Sequence, residues 1–145
     1  MSENILEKII NNKRNKIQIL KKDIPINFFN DKIKNTKNYI NFKEKIMNNM
    51  YYEKVSIIAE IKKASPSAGI IIENYNPVEI ANIYLKNNAT CLSVLTEEDF
   101  FLGNLIHINK IKQKINLPIL CKDFFVDKFQ VHLSRSYGAD AILII

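Results

Sequence analysis

The sequence is poor in glycine, histidine and cysteine and has no tryptophan at all. With Gly69, Gly103 and Gly138 as its only glycines, the chain holds no glycine-rich phosphate loop and no dinucleotide-binding fingerprint. Two cysteines, Cys91 and Cys121, are too few for a disulfide framework, and each lies in an apolar run that reads as buried strand, where cysteine serves as core filler. Neither has the His and Cys neighbours of a metal site, so no metal is expected. Arg14 and Arg135 are the only arginines. The planar fork and the basic-aromatic platforms of nucleic-acid readers are therefore missing, despite a net charge of +6 and a pI near 9.2. The lysine excess is spread along a chain crowded with Ile, Asn and Lys, which reads as a compositional skew, although such a charge still favours a small anionic substrate. No apolar run approaches the ~20 residues of a membrane helix. The opening Met1-Ser2-Glu3-Asn4 leads into a charged amphipathic segment, not into a signal peptide. A cytoplasmic protein without a membrane or nucleic-acid partner is the expectation.

What is present is the composition of a globular domain, 47% hydrophobic and 25% charged. From Ile5 to Leu20, Ile5, Leu6, Ile9, Ile10, Ile17 and Leu20 recur at helical spacing, with lysines and asparagines opposite. Ser2 or Asn4 suits the cap, and Glu3 and Glu7 suit the first turn. Asp23 to Phe29 reads as a break around Pro25. A second helix is expected from Tyr39 to about Met50, with Ile40, Lys43, Ile46 and Met47 along one side. Val55 to Ile61 then reads as a strand buried on both faces, followed by a turn-rich loop from Lys62 to Gly69. Asn76 and Pro77 open a helix whose inner face carries Ile80, Ala81 and Tyr84, ending at Asn87-Asn88. Strands follow at Cys91–Leu95, Ile119–Cys121 and Ala141–Ile145. Helices separate them from about Leu105 to Lys114, with Leu105, Ile108 and Ile111 inward, and from about Lys128 to Tyr137, with Gly138 as a left-handed cap.

Two helices and then alternating β and α elements imply an α/β protein with a parallel sheet and right-handed crossovers. The division expected is a helical extension over 1–54 and a βα region over 55–145. An open doubly wound sheet and a (β/α)₈ TIM barrel both fit. Three successive strands end in polar residues, at Glu60 and Lys62, at Thr96 to Glu98, and at Lys122-Asp123. That favours the barrel, which gathers its chemistry from many strand ends. A Lys-Asp pair at a strand end also reads as an ordinary salt bridge, and a Lys62-Lys63 pair as a solvated one. His107 and His132 fall on helices and read as surface or boundary residues.

The run Ile58-Ala59-Glu60-Ile61-Lys62-Lys63-Ala64-Ser65-Pro66-Ser67 resembles the first-strand signature of the indole-3-glycerol phosphate synthase family. The likeness continues in order through Asn76 to Ala81, Cys91 to Glu97, Phe100 to Gly103, Leu117 to Phe124 and Gly138 to Ile144, and the leading Ile5 to Ile9 fits the family's first helix. The resemblance implies a TIM barrel and a carbon–carbon lyase of tryptophan biosynthesis. Such an enzyme closes a ring on 1-(2-carboxyphenylamino)-1-deoxyribulose 5-phosphate, a small anionic phosphosugar, then loses carbon dioxide and water, with no cofactor and no metal. By the same resemblance Lys122 is the general acid of ring closure, and Lys62 meets the anionic parts of the substrate and assists dehydration. Glu60 orients and balances the two lysines. Ser65 stands near the substrate, and Phe101 and Leu143 line the apolar side of the pocket. A lysine donates a proton near neutral pH only where desolvation or nearby positive charge lowers its pKa, and a barrel mouth offers both.

The chain departs from the family's pattern at Ala68, where a basic residue is usual, and at Asn88, near which a glycine is usual. It also contains only the first four strands, while a (β/α)₈ barrel typically needs ~200–250 residues. The family's glutamate of the fifth strand, asparagine of the sixth, glutamate and serine of the seventh, and phosphate-binding backbone fall beyond Ile145. Three readings follow, in this order: a fragment of a full enzyme, a truncated and inactive remnant, or a half-barrel completed by a second chain or copy; the chain alone is expected to be inactive. A catalytically dead half-barrel acting as an interaction or assembly module is the alternative.

Overall fold

A computed structural model describes residues 4–36 and 39–145. The roles expected of Ser2 and Glu3 lie outside the described residues. Asn4 caps α1 (Ile5–Asp23), its side chain accepting the Leu6 N–H at 3.1 Å. The buried positions of α1 are Ile9, Lys13 and Ile17, whereas Ile5 and Leu6 are exposed. This corrects the expectation that every lysine lies on the outer face: Lys13 occupies the middle of the buried stripe.

The segment around Pro25 is not simply a break. A helix not anticipated from the sequence, α2 (Asn27–Asn35), starts two residues after the proline. Its Phe29 is 1% exposed and meets Phe129 edge to face at 5.1 Å between ring centroids. Ile17, Leu20, Ile24, Ile33 and Leu133 complete this small core. The next helix, α3 (Phe42–Tyr51), is capped by Asn41, which accepts the Glu44 N–H. It buries no residue fully. Met47 and Lys43 of its expected inner side are exposed.

The sheet begins with β1 (Ile58–Ile61), three residues later than expected. Val55, Ile57 and Ile58 are exposed, so the run is not buried on both faces. The physical reason is that β1 is an outer strand with a single neighbour. The loop after it carries a small antiparallel ladder, β2 (Ala64–Ser65) against β3 (Gly69–Ile70). Then α4 (Pro77–Lys86) starts as its sequence demands, with Asn76 accepting the Val78 and Glu79 N–H groups at 3.1 and 3.3 Å and Pro77 in the first turn. Past its C-cap Asn87 stands Asn88, whose φ of +62° is left-handed, a conformation that asparagine tolerates better than most residues.

The remaining elements are β4 (Cys91–Leu95), α5 (Leu105–Lys112), β5 (Ile119–Lys122), α6 (Phe129–Ser136) and β6 (Ala141–Ile142). The last strand is shorter than expected, because past Ile142 the backbone has no ladder partner and Ile144 and Ile145 lie in solvent.

The four strands β1-β4-β5-β6 pair in sequence order and all in parallel. Among the described residues strand order does not reverse, the reversal at which a doubly wound sheet forms its switch point. Alternation of side chains splits it into two faces. Ile61, Val94, Cys121 and Ile142 are in register on one face, with Leu92 and Ile119. They pack beneath Ala81 of α4 and Ile108 and Ile111 of α5 as the main core. The other face carries Glu60, Ser93 and Leu120 in register, then Leu95 and Lys122. Both cysteines are buried, and burial pushes their thiols up, Cys91 to about 11 and Cys121 to about 12. Among the described residues no helix is long and apolar enough to cross a membrane.

Candidate active site

Glu60 sits on β1 with its backbone carbonyl held by the Tyr84 hydroxyl of α4 at 3.0 Å. Its side chain projects to the face opposite the helices. Lys122, at the end of β5, lies on that same face two strands away, and Lys62 follows Glu60 by the two residues that return a strand to the same side. All three meet. One Glu60 oxygen pairs with the Lys62 Nζ at 2.9 Å, the other with the Lys122 Nζ at 2.8 Å. Each of the three side chains keeps about a third of its surface open, so the cluster is formed but accessible.

The electrostatics follow from this bridge. Partial burial works against the charged form of Glu60, but the hydrogen bonds and charges of Lys122 and Lys62 outweigh it and hold the carboxyl below its usual range. One carboxylate between two ammonium groups leaves one positive charge in excess at the mouth of the strands. Such a cluster can receive an anion and can present a proton-bearing nitrogen to a bound carbonyl.

The loop after β4 carries an aromatic side chain that meets one from the loop after β5. Glu97, 1% exposed, accepts the N–H groups of Asp99, Phe100 and Phe101 at 3.2, 2.7 and 3.1 Å, and its carbonyl accepts that of Gly103 at 2.7 Å. These bonds fix the half-buried Phe101, whose ring lies 6.2 Å from that of Phe124 in the loop after β5. Leu143 is half-buried just past β6. Ser65 is not part of the ion-pair cluster: its hydroxyl lies 3.4 Å from that of Ser67 and accepts the Ala68 N–H at 3.2 Å, closing its own turn.

Lys122 and Asp123 do not pair with each other. Lys122 faces Glu60, while Asp123, on the opposite face, is paired at 2.7 Å with the buried Lys13 of α1 and receives the Thr96 hydroxyl at 2.7 Å. Behind them, between α1 and the ends of β4 and β5, is a cavity of about 60 Å³ lined by Lys13, Thr96, Cys121 and Asp123 among others. No local pattern marks this buried network, because Lys13 is one of several lysines on its helix and its partner lies 110 positions away. His107 is half-buried beside Tyr75, with ring centroids 5.4 Å apart. Burial, then Lys110 and Lys63, push its pKa below the ordinary histidine value. Among the described residues no group of three or more His, Cys, Asp and Glu stands close enough to hold a metal ion.

Comparison with known proteins matches residues 6–145 to the family described as indole-3-glycerol phosphate synthase. Relatives include the tryptophan biosynthesis protein TrpCF of Buchnera aphidicola subsp. Schizaphis graminum, 48% identical over 100% of this chain and 31% of the relative. The indole-3-glycerol phosphate synthase of Alkaliphilus metalliredigens is 43% identical over 97% of this chain and 53% of its own length. That of Microcystis aeruginosa is 40% identical over 99% and 48%. The chain thus spans from about a third to about half the length of the curated relatives it matches.

Proposed function

From the premise that this chain belongs to the indole-3-glycerol phosphate synthase family, we propose that it supplies the first four strands of that enzyme's barrel and the lysine-glutamate cluster of its active site. The substrate is 1-(2-carboxyphenylamino)-1-deoxyribulose 5-phosphate. Lys122 protonates the ketone oxygen as the aromatic ring carbon attacks the carbonyl carbon, so the new carbon–carbon bond forms without a free alkoxide. Loss of the ring carboxylate as carbon dioxide returns electrons to the ring. Elimination of the new hydroxyl as water, with Lys62 assisting, then gives indole-3-glycerol phosphate. Glu60 orients both ammonium groups, Phe101 and Leu143 line the apolar side, and Ser65 approaches the substrate from the first loop. None of these steps requires electron transfer or a metal.

One observation carries the reading: Glu60 holds Lys62 and Lys122, 60 positions apart in sequence, on one accessible face at 2.9 and 2.8 Å. The outer strands β1 and β6 leave apolar Val55, Ile57, Ile58, Ile144 and Ile145 exposed beside them. We propose that further βα units, in the same polypeptide or in a second chain or copy, cover these edges and bring the phosphate-binding backbone. A chain of these 145 residues alone is then expected to be inactive.

The test joins the chain in frame to the C-terminal half of the A. metalliredigens relative and follows indole fluorescence after addition of substrate. The joined protein should turn over, and Lys122→Met should lower kcat about 100-fold or more. Turnover by the Lys122→Met protein within a few-fold of the parent would remove the acid role. No turnover by the unsubstituted protein, shown to be folded, would count against the enzyme reading and favour an interaction module.

A further inference from the structure

We propose that Thr96 is a positioning residue for Lys122, holding that lysine's carbonyl and the carboxylate of the next residue from behind the sheet. The inference rests on the acid role assigned to Lys122 above. The Thr96 N–H donates to the Lys122 carbonyl at 3.1 Å, and the Thr96 hydroxyl donates to the Asp123 carboxylate at 2.7 Å. One residue at the end of β4 therefore holds the Lys122 carbonyl through its backbone and the Asp123 side chain through its hydroxyl. Thr96 is 1% exposed and Asp123 8% exposed. Both side chains lie on the face turned toward α1 and the cavity, away from Glu60 and Lys62. They have no access to a substrate held over those residues, so what they do for it passes through the backbone.

The grip extends further. The second Asp123 oxygen pairs with the buried Lys13 at 2.7 Å and accepts the Phe124 N–H at 2.8 Å. Phe124 in turn stands beside Phe101. Cys121 adds a sulfur 3.3 Å from the same Thr96 hydroxyl. Lys122 thus turns to the open face while the residues flanking it, Cys121 and Asp123, are held behind the sheet. Removing the hydroxyl frees the end of β5 at the position where a general acid must meet a carbonyl oxygen within hydrogen-bond reach. A misplacement of ~1 Å is enough to cost as much as about 100-fold in rate.

Valine keeps the shape of Thr96 and lacks the hydroxyl, while serine keeps the hydroxyl and leaves a methyl-sized void. A pure packing role makes Thr96→Ser the worse variant; positioning makes Thr96→Val the worse one. In the joined protein described above, kcat is measured per folded molecule, with the folded fraction taken from urea unfolding. Thr96→Val should lose about tenfold in kcat with KM within about twofold, and Thr96→Ser should stay within about threefold of the parent. Parent-like turnover by Thr96→Val, or an equal loss in both variants, overturns the proposal. The acid assignment fails separately, through an active Lys122→Met protein. Amide exchange at Phe124 in the 145-residue chain gives a reading that needs no turnover. Thr96→Val should exchange about tenfold faster there than Thr96→Ser, and equal rates overturn the proposal.

Discussion

The carboxylate of Asp140 accepts the backbone N–H of Ile40, 100 residues earlier in the chain, at 2.9 Å. The same side chain, with no exposed surface, accepts the Ile119 N–H at 2.8 Å and faces Lys112 and Arg135. One carboxylate therefore ties the segment before α3 to the start of β5. Burial already pushes the Lys112 ammonium below the ordinary lysine value, even with Asp140 beside it.

Asp140→Ala should accordingly cost about 3–5 kcal/mol, the scale seen when one partner of a buried ion pair is removed and the other charge stays. Asp140→Asn should fall between, since an amide oxygen still accepts a backbone bond. Urea unfolding midpoints measure both, and a loss under ~1 kcal/mol for the alanine variant would show that Asp140 does not hold the two ends together.

Three lysines of α1 reach the loops after β4 and β5, and they should behave differently. Lys16 meets Glu98 and Asp99, and Lys21 meets Asp127, at largely open sites, whereas Lys13 meets Asp123 with each side chain 9% exposed. Replacing Lys16 and Lys21 together by alanine should cost about 1 kcal/mol or less, a cost that fades in ~1 M salt. Lys13→Ala should cost about 3–5 kcal/mol and be nearly insensitive to salt. Unfolding curves at two ionic strengths separate the cases.

A Cβ at Gly103 would stand 2.4 Å from the Leu95 carbonyl oxygen and 2.9 Å from that of Glu97. Both obstacles are backbone, so neither can swing aside. Gly103→Ala should destabilise by about 2–4 kcal/mol or shift the loop that carries Phe101. Unfolding midpoints together with a crystal structure of the variant would reveal which. A neutral substitution would mean that the close approach of this loop to β4 is not required.

Glu60 makes a pH-dependent contribution whose sign is fixed. Its folded-state pKa lies below the ordinary 4.5, so the stabilisation is complete above that value and disappears as pH falls through the folded-state value. Because the side chain is about a third exposed, the contribution should be about 1 kcal/mol or less. The stability gap between the parent and Glu60→Gln should be widest near neutral pH and narrow as pH falls below the ordinary glutamate value. A gap that grew on acidification would contradict the bridged arrangement.

Elements with complete local signals were legible in the sequence. Asn76-Pro77 announced α4, and the unbroken Cys91–Leu95 run became β4 with its bounds unchanged, because every residue of it is buried. Failures came where a neighbour decides the outcome. Nothing in Val55 to Ile57 shows that the strand beside it begins only at Cys91. The helix α2 is short and follows a proline, and it depends on Phe29 finding Phe129 a hundred positions later. At the site, Glu60, Lys62 and Lys122 were readable through strand alternation and family likeness. Lys13, Thr96 and Asp123 lie behind the sheet, bonded to partners that no local pattern specifies.

The fastening of α1 bears on how the protein is made. This helix leaves the ribosome well before its partners, so its buried lysine waits for Asp123 and its apolar stripe for α6. At roughly 5–20 residues per second, the 110 intervening positions take about 6–20 seconds to synthesise. Throughout that interval an amphipathic segment is exposed without its counterpart, so docking of α1 is a late event in biogenesis, and a pause in translation before residue 123 prolongs the period in which other proteins have access to it.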